Sequence, residues 1–215
     1  MLNGNVVATD ATIVTVNGKQ HYIRNFSIKD TVVFHAMQKK SIEALKEIGF
    51  LNTYAGILLH DHETALYHFG TEHAECNVHI IRYLRKNTEE TGNSWSDEMI
   101  SLLCEMNKKR KEYISQGKDE FAAEMISAYE KKYMSLLEKG QKENKTTKHK
   151  YAKQDELTLI NRMKKYSHNH LLFLHEFSVP FDDNISERDL RKAKNRQKMA
   201  GGFRKESGHE MYCRI

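Results

Sequence analysis

Two runs of β-branched and aromatic residues, "NVVATDATIVTV" at 5–16 and "KQHYIRNFSI" at 19–28, are separated only by Asn17-Gly18. Asn-Gly suits a two-residue turn because both positions accept positive φ, so the runs are predicted to pair as a long antiparallel hairpin. A chain that opens this way is committed to a sheet. "TVVFHAM" at 31–37 reads as a third strand, and "YAGILLHDH" at 54–62 is a nearly continuous apolar run, the pattern of a strand covered on both faces. Between them Ser41 opens "SIEALKEIGF", where Ile42, Leu45 and Ile48 recur at helical spacing and Gly49 is a natural stop. Three strands, a helix and a buried strand describe an α/β sheet with an antiparallel hairpin edge.

The pattern then changes. "SWSDEMISLLCEMNKKRKEYISQG" sets Met99, Leu103 and Met106 on one helical stripe, with Ser94 as a cap and Gly117 as an interruption. "DEFAAEMISAYEKKYMSLLEKG" repeats the stripe with Phe121, Met125, Tyr129, Tyr133 and Leu136. The polar, lysine-rich "QKENKTTKHK" reads as a loop, and "DELTLINRMKKYSHNHLLFLHEF" as a third helix ending before Pro180. These helices fit an insertion into the sheet better than an independent bundle, because the chain afterwards returns to a segment with site-like chemistry. The predicted organisation is 1–90 for the first part of the sheet core, 91–177 for a mainly helical insertion, and 178–215 for a returning basic helix and a C-terminal segment.

Composition narrows the partners. No apolar run approaches the roughly 18 residues that a membrane span requires, so no membrane is expected. Cys76, Cys104 and Cys213 are too few and too scattered for a disulfide framework, which fits a reducing cytoplasm. The net charge of +5 matters only where it is concentrated. It is concentrated in "ERDLRKAKNRQK", where Arg188, Arg191, Lys192, Lys194, Arg196 and Lys198 crowd around Glu187.

Three carboxylates stand out. Asp10 lies in the first strand, and Asp61 at the carboxyl end of the buried strand, where ligands gather in open α/β sheets. Glu187 lies in the opening turns of the basic helix. Each has a plainer alternative. Asp10 and Asp61 suit strand-end turns, and Glu187 suits an i, i+4 ion pair with Arg191 worth about 0.3–0.5 kcal/mol. Asp183 and Asn184 are placed to cap the basic helix, and Gly201-Gly202 to end it. Cys76 and His79 form a Cys-x-x-His element that reads either as a packing scaffold or as part of a zinc site with His73. His60 and His62 flank Asp61 and would suit a histidine-based phosphohydrolase, but strand alternation turns both away from Asp61.

The blocks "TDAT", "ILLHDHETALYHF", "EHAECNVHIIRYL" and "VPFDDNISERDLRKAKNRQKMAGGFR" resemble, in this order and over nearly the whole chain, the insertion sequence 66 family of bacterial transposases. The resemblance implies an α/β, ribonuclease H-like mixed sheet with a helical insertion before the last catalytic helix. It also implies an aspartate-aspartate-glutamate triad of Asp10, Asp61 and Glu187, at once catalytic and metal-binding, using two Mg2+ or Mn2+ ions. DNA is the implied partner, as transposon ends and as target, with Arg188, Arg191, Lys194, Lys198 and Arg204 as the DNA-binding side chains. Cys76 and His79 match an element that similar transposases place after the second aspartate. A homo-oligomer is left open.

There are departures. Ala11 stands where the family usually has glutamate, His62 where a small residue is more usual, and Asp183 in place of an asparagine. Family members carry substantial N-terminal DNA-binding and oligomerisation regions and continue past the last residues here, so the chain reads as truncated at both ends. The expected activity is metal-dependent DNA cleavage and strand transfer. The alternative is an inactive remnant that binds DNA non-specifically through the basic helix.

Overall fold

The structure, a computed structural model, describes residues 6–214. Asn5, the predicted first residue of the hairpin, and Ile215, the last of the C-terminal segment, lie outside the described residues. The chain divides into two units, Met1–Glu75 with Asp183–Ile215, and Cys76–Asp182.

The first unit begins with strands β1 (Val6–Val16), β2 (Lys19–Ile28) and β3 (Thr31–Met37), followed by helix α1 (Ile42–Lys46) and strands β4 (Ile57–His60) and β5 (Glu72–Glu75). Asn17 and Gly18 take φ of 48° and 74°, so the predicted turn forms and sets the register from Val16↔Lys19 to Ala8↔Ser27. The sheet order is β3-β2-β1-β4-β5, antiparallel across β3, β2 and β1 and parallel from β1 through β4 to β5. Ser41 caps α1 by accepting the Ala44 N–H at 3.3 Å. Parallel pairing of β1 with β4 covers only Val6 to Ala8, so the rest of that edge of β1 needs another partner.

The second unit is helical: α2 (Asn77–Thr91), α3 (Ser94–Ser115), α4 (Ala123–Asn144), α5 (Lys150–Lys165) and α6 (Ser167–His175). Helix α2 lies within the stretch assigned from sequence to the sheet, yet it buries Ile80, Ile81 and Leu84 and packs against α3 and α5. The predicted loop at 141–150 is shorter than expected because α4 runs on through Asn144. That side chain is buried and donates to Lys153 O at 2.8 Å and to Glu156 Oε2 at 2.9 Å. The predicted third helix is two, parted at Tyr166. On α4 the buried leucine is Leu137 rather than Leu136.

Glu156, 1% exposed, is the polar centre of this unit. Its Oε1 accepts from Asn87 (3.1 Å), Asn93 (2.8 Å) and the Trp95 indole (2.7 Å), and its Oε2 from Asn144 and from Thr147 (3.1 Å). Burial pushes this carboxyl up, but the donors of Asn93, Trp95, Asn144 and Asn87 together outweigh it and hold the group below its ordinary value. Among the described residues, no helix is long and apolar enough to cross a membrane.

The chain then returns to the first unit with α7 (Asn184–Ala200) and α8 (Glu206–Cys213). Ser186, Leu190 and Ala193, at i, i+4 and i+7, are the buried face of α7. Leu190, Ala193 and Phe203 pack on Val14, Val16 and Ile23, on one side of the sheet. On the other side Val7, Phe26 and Leu58 pack with Leu45 of α1, Ile48 and Leu51. Past α7 the chain closes the open edge of β1. Gln197 Oε1 accepts the Thr15 N–H at 3.0 Å, Phe203 N–H donates to Thr15 O at 2.7 Å, and Asn17 N–H donates to Phe203 O at 2.8 Å. Gly202 allows that approach: its φ is 119°, and a Cβ there would sit 2.3 Å from Thr15 O.

Candidate active site

Alternation along β1 sends Val14 and Val16 toward α7, and Asp10 shares their face. Ala8 is paired with Leu59 in the parallel β1–β4 register, and Asp10 and Asp61 each stand two residues further on. The two aspartates are therefore neighbours at the carboxyl end of β4, on the side that α7 covers.

The opening turn of α7 is brought to them by a polar relay through β2. Asn25, paired with Asp10 across the strands, accepts the Asp10 N–H on Oδ1 at 3.0 Å and the Ser186 hydroxyl on the same atom at 2.8 Å. Its Nδ2 donates to Ser186 O at 3.0 Å and to Ser27 Oγ at 3.0 Å. Ser27 donates in turn to Asp189 at 2.7 Å. One asparagine thus joins the backbone beside Asp10 to the turn that carries Glu187. Glu187 lies in that first turn, its N–H donating to Asp183 O at 3.1 Å.

Electrostatics show which carboxyls share the space. Burial raises the Asp10 carboxyl, and Asp61 raises it further; the Ala11 amide, Lys194 and Lys40 pull the other way. Asp183 stands well above the ordinary carboxylate range, first through burial and then through Asp10, Asp61 and Glu187, with the Ser186 amide opposing. Asp183 occupies the N-cap position predicted from sequence, but its carboxyl, in a residue 1% exposed, belongs electrostatically to the acidic cluster. Reasoning from sequence assigned it to capping alone. The signal that could have found it is the acid standing four residues before Glu187 where an asparagine is usual.

The structure therefore brings Asp10, Asp61 and Glu187 into one electrostatic neighbourhood around Asp183. Among the described residues, no three or more His, Cys, Asp or Glu side chains are gathered tightly enough to enclose an ion. Arg188, Arg191, Lys194, Lys198 and Arg204 are all exposed. Arg196 instead stacks over Phe203, 4.6 Å from the ring centroid, and over Tyr212 at 5.5 Å.

The opposite face of the sheet carries a second polar cluster. His60 follows Leu58 by two and so faces away from α7, as alternation predicts. Burial, then His73, pushes its pKa down to about 3, which holds the ring neutral. Its Nδ1 accepts the His62 N–H at 3.2 Å, so the ring proton sits on Nε2, 3.2 Å from His73 Nδ1. His62 has a φ of 73°, and its Nδ1 lies 2.7 Å from Glu75 Oε1, which also accepts the Tyr67 hydroxyl at 2.5 Å. The next residue, Glu63, meets the fully buried Arg24 at 2.5 Å and Lys40 at 3.2 Å. In the second unit, Cys76 is buried at the N-cap of α2, and His79 lies 3.2 Å from Arg82 Nη1.

An antiparallel β1–β2–β3 arrangement continued by parallel β4 and β5, with α7 against one face, is consistent with a ribonuclease H-like transposase fold. The sequence profile described as "Transposase IS66 family" matches residues 1–211, and the chain belongs to that family. Neither a curated protein nor a solved structure matches it.

Proposed function

We propose that this transposase-family protein cleaves and joins DNA strands, with Asp10, Asp61 and Glu187 as its catalytic and metal-binding carboxylates. The observation that carries the reading is the meeting of acids from β1, from the end of β4 and from the first turn of α7 around Asp183. A donor set of carboxylate oxygens suits hard divalent cations, Mg2+ or Mn2+, whose charge would offset the burial and the mutual repulsion that raise Asp10 and Asp183. When bound, a pair of these ions neutralises the scissile phosphate and polarises the entering and leaving oxygens.

The chain's own residues supply the rest. Lys194, close enough to Asp10 to act on its ionisation, lies two turns along from Glu187 on the exposed side of α7. With Arg188, Arg191, Lys198 and Arg204 it grips phosphate oxygens through charge-assisted contacts that position DNA without reading its sequence. Asn25 and Ser186 keep the Glu187 turn beside Asp10. In the reaction, water attacks the phosphorus, the 3′-oxygen departs with a proton as a 3′-hydroxyl, and a phosphate remains on the 5′ end. That 3′-hydroxyl then attacks a target phosphorus: a new P–O bond forms, the target's own P–O3′ bond breaks, and its 3′-oxygen leaves as a hydroxyl with the proton that the attacking group gives up.

The test is nicking of supercoiled DNA with Mg2+ or Mn2+ by the wild-type chain, Asp61→Asn and Glu187→Gln. Loss of nicking in both variants, with salt-sensitive DNA binding retained, is expected. Nicking that survives both substitutions overturns the triad, and a wild-type chain that binds DNA but never cuts it points to the non-catalytic remnant.

A further inference from the structure

We infer that Glu75 is a positioning residue: with Tyr67 it clamps His62 in a left-handed backbone conformation and thereby sets the direction of Asp61. The role in catalysis rests on the preceding reading of Asp61; the clamp itself rests on geometry alone. The chain must leave β4 at His60 and turn sharply, and it does so at His62 with φ of 73°. Of the described non-glycine residues only Asn17 and His62 have positive φ, and asparagine is one of the few residues that tolerate it. Histidine visits that conformation more often than most side chains, but still at a cost that surrounding contacts must offset.

Here they do. Glu75 is 1% exposed and pairs with His60 in the parallel β4–β5 register, so its carboxylate rises beside the strand end from which the turn departs. Its Oε1 receives His62 Nδ1–H and the Tyr67 hydroxyl together, while His60 Nδ1 holds the His62 amide. Glu63, just beyond, is tied to Arg24, which is itself fixed by Thr9 at 2.9 Å. By strand register Thr9, Arg24, His60 and Glu75 lie on the face of the sheet away from α7. They act through the backbone on either side of Asp61. The clamp predicts its own dispensability: if residue 62 were glycine, the turn would form unaided and Glu75 would lose its purpose.

The test compares His62→Ala, His62→Gly, Glu75→Ala and the double variant Glu75→Ala/His62→Gly in the full chain. Binding of Mn2+ is read by the electron paramagnetic resonance signal of the free ion, with thermal unfolding in parallel. Removing the support of a ligand typically weakens metal affinity about 10–100-fold, and that loss is expected for Glu75→Ala and His62→Ala. His62→Gly is expected to bind Mn2+ nearly as the wild type does, and to restore affinity when added to Glu75→Ala. The proposal is overturned if glycine at 62 binds as weakly as alanine, or if Glu75→Ala costs the same affinity with and without His62→Gly. Should Glu75→Ala fail to fold, the alanine–glycine contrast at 62 decides alone. Should the wild-type chain bind no Mn2+, the metal reading falls, and unfolding decides the clamp: a Glu75→Ala loss that shrinks in the His62→Gly background supports it, and an unchanged loss sinks it.

Discussion

Asp183 concentrates the residue-scale conflict of this protein, since a buried acid has been set among three others. Its folded-state pKa is raised, so the folded chain holds that proton more tightly than the unfolded chain does. The resulting penalty is absent below the ordinary carboxylate range and grows as pH rises through it. In metal-free buffer at about pH 8, Asp183→Asn should therefore raise the unfolding midpoint, by about 2–4 °C for each kcal/mol relieved. The gain should fade as the pH is lowered toward about 4, where both proteins carry a neutral group. A calorimetric pH series checks this. Asp10, Asp61 and Glu187 were singled out in the sequence through their motifs, and the fold sets them in one electrostatic neighbourhood; Asp183 was read as a cap because position in a helix is visible from spacing and burial is not. His62 shows the same limit: its departure from a small residue was plain, but its positive φ was not.

At the scale of elements, apolar periodicity located what it could. The Asn17-Gly18 hairpin, β3 and the stripes of α3 and α4 all emerged from it. Strand β5 did not, because "EHAE" directs His73 and Glu75 into a polar cluster rather than an apolar core, and so shows no hydrophobic alternation. Helix α2 went unread with it, though Ile80, Ile81 and Leu84 have helical spacing. The run through Asn144 was masked by lysines and explained only by Glu156. Glu156→Ala should strand several buried donors and destabilise the chain by about 3–5 kcal/mol, measured by urea unfolding. Because the folded pKa of Glu156 is depressed, its stabilisation is present above the unfolded value and should be lost as pH falls through the folded one. Gly202→Ala should push the chain away from Thr15 and cost about 1–3 kcal/mol through strain, with faster amide exchange at Thr15 and Phe203 as its mark.

For the whole molecule, a modest net charge of +5 conceals a strong local one. The exposed cations of α7 and the segment after it include the five proposed to hold DNA, Arg188, Arg191, Lys194, Lys198 and Arg204. If all five meet phosphates on duplex DNA, the logarithm of affinity should fall against the logarithm of salt with a slope of about −4.5. Replacing Arg191 and Lys198 by alanine should flatten that slope by about 2, equally for unrelated DNA sequences. Filter binding across a salt series measures both.

The fold also imposes an order of manufacture. Asp10 leaves the ribosome before the helical unit and Glu187 only after all of it, on the helix whose trailing segment shields the bare side of β1. Until that last stretch arrives, a nascent chain carries an unfinished sheet and an incomplete set of acids. On the proposed reading it therefore cannot injure the genome that encodes it while translation is still under way.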